Sequence, residues 1–281
     1  MKPGRLFVWF QQVLPQHALS RLVLRATRVR APWFKNWLIR SFLRLYTIDM
    51  TEAVQPDPFR YGSFNEFFTR ALKPDVRTLA MGPREIACPV DGTISEAGEI
   101  DGVNLLQAKG RYYTLQELLA SRGWATHFAG GTFATIYLAP FNYHRIHMPL
   151  HARLRETVYV PGRLFSVNAA TASLVPRLFA RNERVLTLFD SAFGEVALIL
   201  VGALNVGSIA TVWAGDITPS PRRVATALPP QNVALDKGAE LGRFNMGSTV
   251  ILLFQKDRAR WHDELRAGTV VRLGQSLGVL S

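Results

Sequence analysis

Apolar and polar positions follow two different periods along this chain, and the period changes near residue 48. Leu19, Leu22, Val23 and Ala26 fall on one side of a helix, with Arg21, Arg25 and Arg28 on the other at i, i+4, i+7. A second stretch repeats the idea less cleanly. Phe34, Leu38, Phe42 and Leu45 share one face and Asn36, Arg40 and Arg44 lie opposite, but Ile39 and Leu43 interrupt the polar side. From about residue 85 the helical period gives way to short apolar runs between Gly, Pro and Asp: ATIYLA, TVYVPG, VLTLFD, VALILVG, STVILLF and VVRLG. Such runs predict buried strands. Helical patterns return around 114–121 and 170–181.

Residues 196–215 carry no charge and are long enough to span a bilayer. Gly202, Asn205, Gly207, Ser208 and Gly215 interrupt them, and their Val and Ile content predicts two buried strands joined near Asn205. The expected fold is therefore α+β: amphipathic helices over residues 1–48, then a mostly antiparallel β core with a few helices over 49–281. No repeat or low-complexity linker divides the chain.

Charge sharpens this division. Of 33 basic residues, nine lie in residues 1–48, where there is no Asp or Glu, leaving 24 basic against 21 acidic residues in the rest. Trp9, Trp33, Trp37 and Tyr46 add rings of the kind that settle at a lipid headgroup boundary. The segment reads as a monotopic anchor on an anionic membrane surface, with Trp9, Arg21, Arg25, Arg28, Trp33, Trp37, Arg40 and Arg44 as its contact residues. A solvated face over an ordinary core helix, an Arg-rich transit peptide and a nucleic-acid-binding arm compete with this reading. None of them calls for so many tryptophans, and no nucleic-acid partner is expected. No small-residue cleavage site follows a short apolar core, which argues against a secretory signal. The single cysteine, Cys88, excludes an internal disulfide framework and a cysteine-based zinc site.

Candidate chemistry gathers in four segments: CPVDGTI (88–94), FNYHRIHMP (141–149), VPGRLFSVN (160–168) and GRFNMGSTVILLF (242–254). Each is ordinary alone, since Asp before Gly caps turns and paired histidines often satisfy a core. Together Asp91, His147 and Ser248 supply the parts of an activated nucleophile. His144, His147 and His151 have a spacing that could gather a metal, but no Cys or Glu nearby completes a familiar ligand set, so no metal is expected. A serine hydrolase acting on an external ester is the alternative enzyme, although the chain lacks the G-x-S-x-G elbow. A noncatalytic membrane-binding or nucleic-acid-binding module would leave the later motifs unexplained.

With DG at 91–92, YHRIHMP at 143–149, VPGRLFSVN, FARNERV at 179–185, WAGDITP at 213–219 and GST at 247–249, the chain resembles the bacterial (proteobacterial-type) pyruvoyl-dependent phosphatidylserine decarboxylases. Met246 stands where that family usually has Leu, a swap that preserves apolar volume.

The resemblance implies self-cleavage between Gly247 and Ser248. Gly247 lets the Ser248 hydroxyl approach the preceding carbonyl, His147 takes its proton and Asp91 holds the His147 ring. Ser248 is left as a covalent pyruvoyl group, with residues 1–247 (beta chain) and 248–281 (alpha chain) tightly associated. The resemblance further implies decarboxylation of phosphatidylserine to phosphatidylethanolamine through a Schiff base at residue 248, without metal or pyridoxal phosphate. His144 would assist decarboxylation or protonation. The expected location is peripheral, on the cytoplasmic face of the bacterial cell membrane, and a homodimer is left open. With anchor and core in different segments, deleting residues 1–48 is expected to abolish membrane binding and spare self-cleavage.

Overall fold

The STVILLF run becomes the strand Thr249–Phe254, buried along its whole length because it lies in the middle of the largest sheet. It pairs antiparallel with Gly194–Val201 on one side and Thr132–Tyr137 on the other, so that Thr249 faces Val201 and Tyr137 across the ladders. The computed structural model describes residues 3–204, 208–217, 225–227 and 233–281. Among these, the sheet continues outward through Arg184–Ser191 and Ala152–Val160 in one direction and Gly92–Glu99 in the other. A four-stranded sheet orders Gly215–Ile217, Ile209–Thr211, Glu240–Phe244 and Arg145–His147, again antiparallel throughout. Nearly continuous apolar strands are the expected signature of a sheet covered on both faces.

The uncharged stretch 196–215 divides as expected. Its first half ends the strand Gly194–Val201 in the large sheet, and its second half supplies Ile209–Thr211 to the small one. The expected joint at Asn205 lies outside the described residues. The helical patterns at 114–121 and 170–181 appear as Leu115–Leu119, Ala169–Leu174 and Leu178–Arg181, the last two separated at Arg177, whose φ is 56°.

Three helices precede the sheets: α1 (Pro3–Val13), α2 (Gln16–Thr27) and α3 (Pro32–Leu45). A short helix, α4 (Phe64–Phe68), packs against α3. Among the described residues, no helix is long and apolar enough to cross a membrane.

α1 and α2 turn polar residues inward, and all three helices leave large apolar side chains exposed. Gln11, Gln16, Ser20, Thr27 and Lys35 are buried, whereas Leu22 is 63% exposed, Trp33 77% and Leu45 76%. Ile39, expected to interrupt the polar side of α3, is instead fully buried, in a cluster with Phe64, Phe67 and Phe68. Its burial follows from α4 docking against that side, a contact that the periodicity of α3 alone does not contain.

The inward amides of Gln11 and Gln16 are satisfied by backbone. Gln16 Nε2 donates to the Gln11 carbonyl at 2.8 Å, the Gln16 side-chain oxygen accepts from Leu164 N at 2.9 Å, and that of Gln11 from Ser166 N at 2.7 Å. These bonds tie α1 and α2 to the loop that carries VPGRLFSVN. Buried amides are tolerated only when so partnered.

Candidate active site

Ser248 opens the central strand and is fully buried. Its carbonyl accepts from Leu138 N at 2.9 Å, and its hydroxyl donates to the Val201 carbonyl. The residue is thus held between the two neighbouring strands. Gly247 precedes it in a crowded place: a Cβ there would sit 3.3 Å from the Leu138 carbonyl oxygen and 3.4 Å from His144 Nε2. Glycine permits that close approach.

His144 is therefore the histidine beside the Gly247–Ser248 linkage. Its Nδ1–H donates to the Asn142 carbonyl at 2.8 Å, which leaves Nε2 as the basic nitrogen, and Nε2 is buried without a hydrogen-bond partner. The ring lies against Phe68, with centroids 4.1 Å apart. Burial, with the Arg70 charge nearby, pushes the imidazole pKa down to about 3, so the ring is neutral at any physiological pH.

His147 lies three residues on, along the strand Arg145–His147. His144 precedes that strand, and the two rings have different neighbours. His147 Nδ1–H donates to the Gly238 carbonyl at 2.7 Å, and Nε2 accepts from the Tyr143 hydroxyl at 3.0 Å. Burial lowers its pKa as well.

Asp91 does not hold His147, as the relay expectation required. Its carboxylate is clasped by Arg77, with Nε at 3.1 Å from Oδ1 and Nη2 at 2.6 Å from Oδ2, and Oδ1 also accepts from Leu273 N at 2.8 Å. Arg77 Nη2 reaches Glu52 as well, at 2.8 Å. The physical reason is competition: a bidentate guanidinium outbids a neutral imidazole for a carboxylate, and His147 Nδ1 finds a carbonyl instead. Replacing Arg77 with Ala strands a nearly buried carboxylate and is expected to lower the unfolding free energy by about 3 kcal/mol. Urea denaturation measures this, and a loss below about 1 kcal/mol would show that the pair is not structural.

Two cavities follow from this arrangement. One, of about 340 Å³, lies on the His147 side and is lined by Arg77, Tyr143, Gly238 and Leu273. The other, of about 460 Å³, reaches Gly247 and is walled by Phe42 and Tyr46 from the end of α3, with Phe68, Tyr137 and Ser166. His151 belongs to neither; it pairs with Asp236 at 2.7 Å and is exposed. The three histidines thus spend Nδ1 on three different partners. Arg77 and Phe68 escaped the sequence reading, because only the folded chain brings them to these places.

The family model for phosphatidylserine decarboxylase matches residues 64–279, and a second model, described as PSD, matches residues 6–47. The chain belongs to the phosphatidylserine decarboxylase family. Its relatives include the phosphatidylserine decarboxylase proenzyme of Methylococcus capsulatus, 51% identical over 98% of this chain and 97% of the relative. The proenzyme of Bordetella bronchiseptica is 53% identical over 98% of this chain and 94% of its own length. That of Azotobacter vinelandii is 51% identical over 99% of both. The two family matches and these relatives together cover both the helical layer and the sheets.

Proposed function

We propose that this chain is a self-processing phosphatidylserine decarboxylase whose reacting bond is Gly247–Ser248. The observation that carries the reading is the convergence at one peptide bond of a residue without Cβ, a buried hydroxyl and an unpartnered imidazole nitrogen. Rotation about Ser248 χ1 releases the hydroxyl from the Val201 carbonyl and turns it toward the Gly247 carbonyl, where an ester replaces the amide. His144 Nε2, neutral and free, is placed to take the hydroxyl proton. Asp91 and His147 act at one remove in this reading: with Arg77 and Tyr143 they brace the strand and loop that carry His144. Elimination from the ester expels the Gly247 carboxylate and leaves residue 248 as dehydroalanine; this tautomerises to an imine, which water hydrolyses with loss of ammonia to a pyruvoyl group at the head of residues 248–281.

The surroundings of residue 248 fit such a group. The cavity reaching Gly247 has room for a substrate amine, and its wall is largely aromatic and aliphatic. The pyruvoyl carbonyl supplies an electron sink for the amine-bearing carbon as carbon dioxide leaves, so pyridoxal phosphate is not required. His144 Nε2, having taken a proton from the substrate ammonium as the amine binds, is the group placed to return it to that carbon. Residues 1–247 and 248–281 stay together because Thr249–Phe254 is hydrogen-bonded on both edges and buried. Denaturing mass spectrometry of the native preparation tests the proposal: two chains divided at Gly247, the smaller with a blocked pyruvoyl terminus, are expected. A serine hydrolase would remain one chain.

The exposed apolar side chains of these helices support peripheral binding to the cytoplasmic face of an anionic membrane. Trp33, Trp37 and Leu22 face outward beside Arg21, Arg25, Arg40 and Arg44, all exposed. Each cation near such a surface contributes about 1 kcal/mol, screened by salt, while the rings contribute a salt-resistant part. Replacing Trp33 and Trp37 together with Ala is expected to weaken binding to phosphatidylglycerol vesicles about tenfold at high salt. Cosedimentation across a salt series measures it; unchanged binding at high salt would remove these tryptophans from the membrane surface.

A further inference from the structure

Asn245 lies three residues before Ser248 and is buried. Its side chain spends every polar atom on a different part of the molecule. Nδ2 donates to Ser208 Oγ and to Asp216 Oδ1, the latter at 3.1 Å. Oδ1 accepts from Asn65 Nδ2 of α4 at 3.1 Å, and the same Asn65 group donates to the Asn245 carbonyl at 3.1 Å. The Asn245 amide donates to the Ser208 carbonyl at 3.2 Å. Asp216 in turn accepts from Arg28, the residue that ends α2, at 2.5 Å. Next along the chain, Met246 packs into the helical cluster of Ile39, Phe64, Phe67 and Phe68.

The segment that carries the reacting bond is therefore gripped from two sides. Ser248 belongs to the large sheet, Asn245 is bonded to Asp216 of the small sheet and to Asn65 of α4, and Met246 packs into the helical layer, with Gly247 between these grips. Neither grip alone determines the angle at which the Gly247 carbonyl meets the Ser248 hydroxyl and His144 Nε2. Both do together.

We propose that Asn245 is a positioning residue for self-processing, through which α2 and α4 hold the Gly247–Ser248 linkage in register with His144. This rests on the self-processing reading above. It departs from the expectation that residues 1–48 form a separable anchor, because Arg28 and Ile39 belong to the holding structure.

The arrangement admits an exchange experiment. Replacing Asn245 with Asp removes a donor and sets two carboxylates against each other. Adding Asp216→Asn restores a donor and an acceptor at opposite ends, and Asn65 and Ser208 can still donate to residue 245. Full-length chains are made by cell-free synthesis, and the appearance of residues 248–281 is followed with time. Asn245→Asp is expected to slow processing about thirtyfold, the scale of a displacement of order 1 Å at a reacting centre. The double variant N245D/D216N is expected within about threefold of wild type. Arg28→Gln, at a partly exposed position that cannot unfold the chain, is expected to slow processing about threefold.

A global loss of stability would not be repaired by exchanging the two groups, so recovery in the double variant identifies pairing as the cause. Wild-type speed in Asn245→Asp would overturn the proposal. So would a folded double variant that stays as slow as Asn245→Asp. If Asn245→Asp does not fold, the double variant and Arg28→Gln decide alone: a slow, folded double variant, or unchanged speed in Arg28→Gln, overturns it. An uncut wild-type chain would sink the self-processing reading as well, whereas a cut wild type with an indifferent Asn245 would leave that reading standing.

Discussion

Replacing Ser248 with Ala is expected to leave one uncut chain of 281 residues with no decarboxylase activity. The hydroxyl is the atom that must add to the Gly247 carbonyl, and no other hydroxyl is covalently placed to do so. The change is also mild for the fold. It removes one hydrogen bond to the Val201 carbonyl, worth about 1 kcal/mol, and leaves the two ladders of the central strand intact. Loss of processing with retained circular dichroism is therefore the expected pair of results. A Ser248→Ala chain that still divides at Gly247 would show that a protease, and not Ser248, makes the cut. A folded, uncut wild-type chain that decarboxylates phosphatidylserine would remove the pyruvoyl group from the mechanism.

His144 is expected to cost the uncut Ser248→Ala protein stability as pH falls below 6.5, a loss opposed by the buried Glu183 carboxyl, which burial pushes up to about 7 so that the folded state takes its proton first. In the folded chain burial holds this imidazole neutral down to about pH 3, while in the unfolded chain it titrates near its ordinary 6.5. Between those values the unfolded state binds a proton that the folded state refuses. The stability contributed by the neutral ring is thus fully present above pH 6.5 and is lost as pH falls from 6.5 toward 3. Its full size is on the order of 4 kcal/mol, of which about 2 kcal/mol is lost by pH 5. His147, lowered in the same direction, adds to the slope.

Urea midpoints at pH 7.5 and pH 5 measure the effect. His144→Gln on the Ser248→Ala background is expected to be less stable at pH 7.5 and, relative to Ser248→Ala, to lose about 2 kcal/mol less between pH 7.5 and pH 5, a difference to which Glu183, common to both, does not contribute. An unchanged slope in His144→Gln would mean that the ring is hydrated in solution. Self-processing of the wild-type chain should, by the same neutrality, keep a nearly constant rate from pH 8 to 6, since the base it uses is never charged there.

Much of this protein is decided by periods that any short window of sequence contains. The run TVILLF is apolar on both faces and can only be a strand covered on both sides; Gly-Ser-Thr at its head places the nucleophile at a strand entrance. The 3.6-residue period with its arginines was sufficient to mark the N-terminal helices, and the motif resemblance was sufficient to assign the family.

Other features depend on contacts between residues far apart in the chain, and local patterns do not record those. Periodicity predicts that α3 has an apolar face but not what meets it: docking of α4 buries Ile39, and the outward face keeps Trp33 and Leu45. The YHRIHMP motif names two histidines of equal chemistry; the packing of Gly247 beside one of them places His144 Nε2 at the reacting bond, while His147 turns to Tyr143 and Gly238. Asp91 lies 14 residues from Arg77 and Asn245 lies 29 from Asp216. Those pairings are chosen by charge and by donor–acceptor complementarity at short range, and short range exists between them only after the sheets and helices have packed.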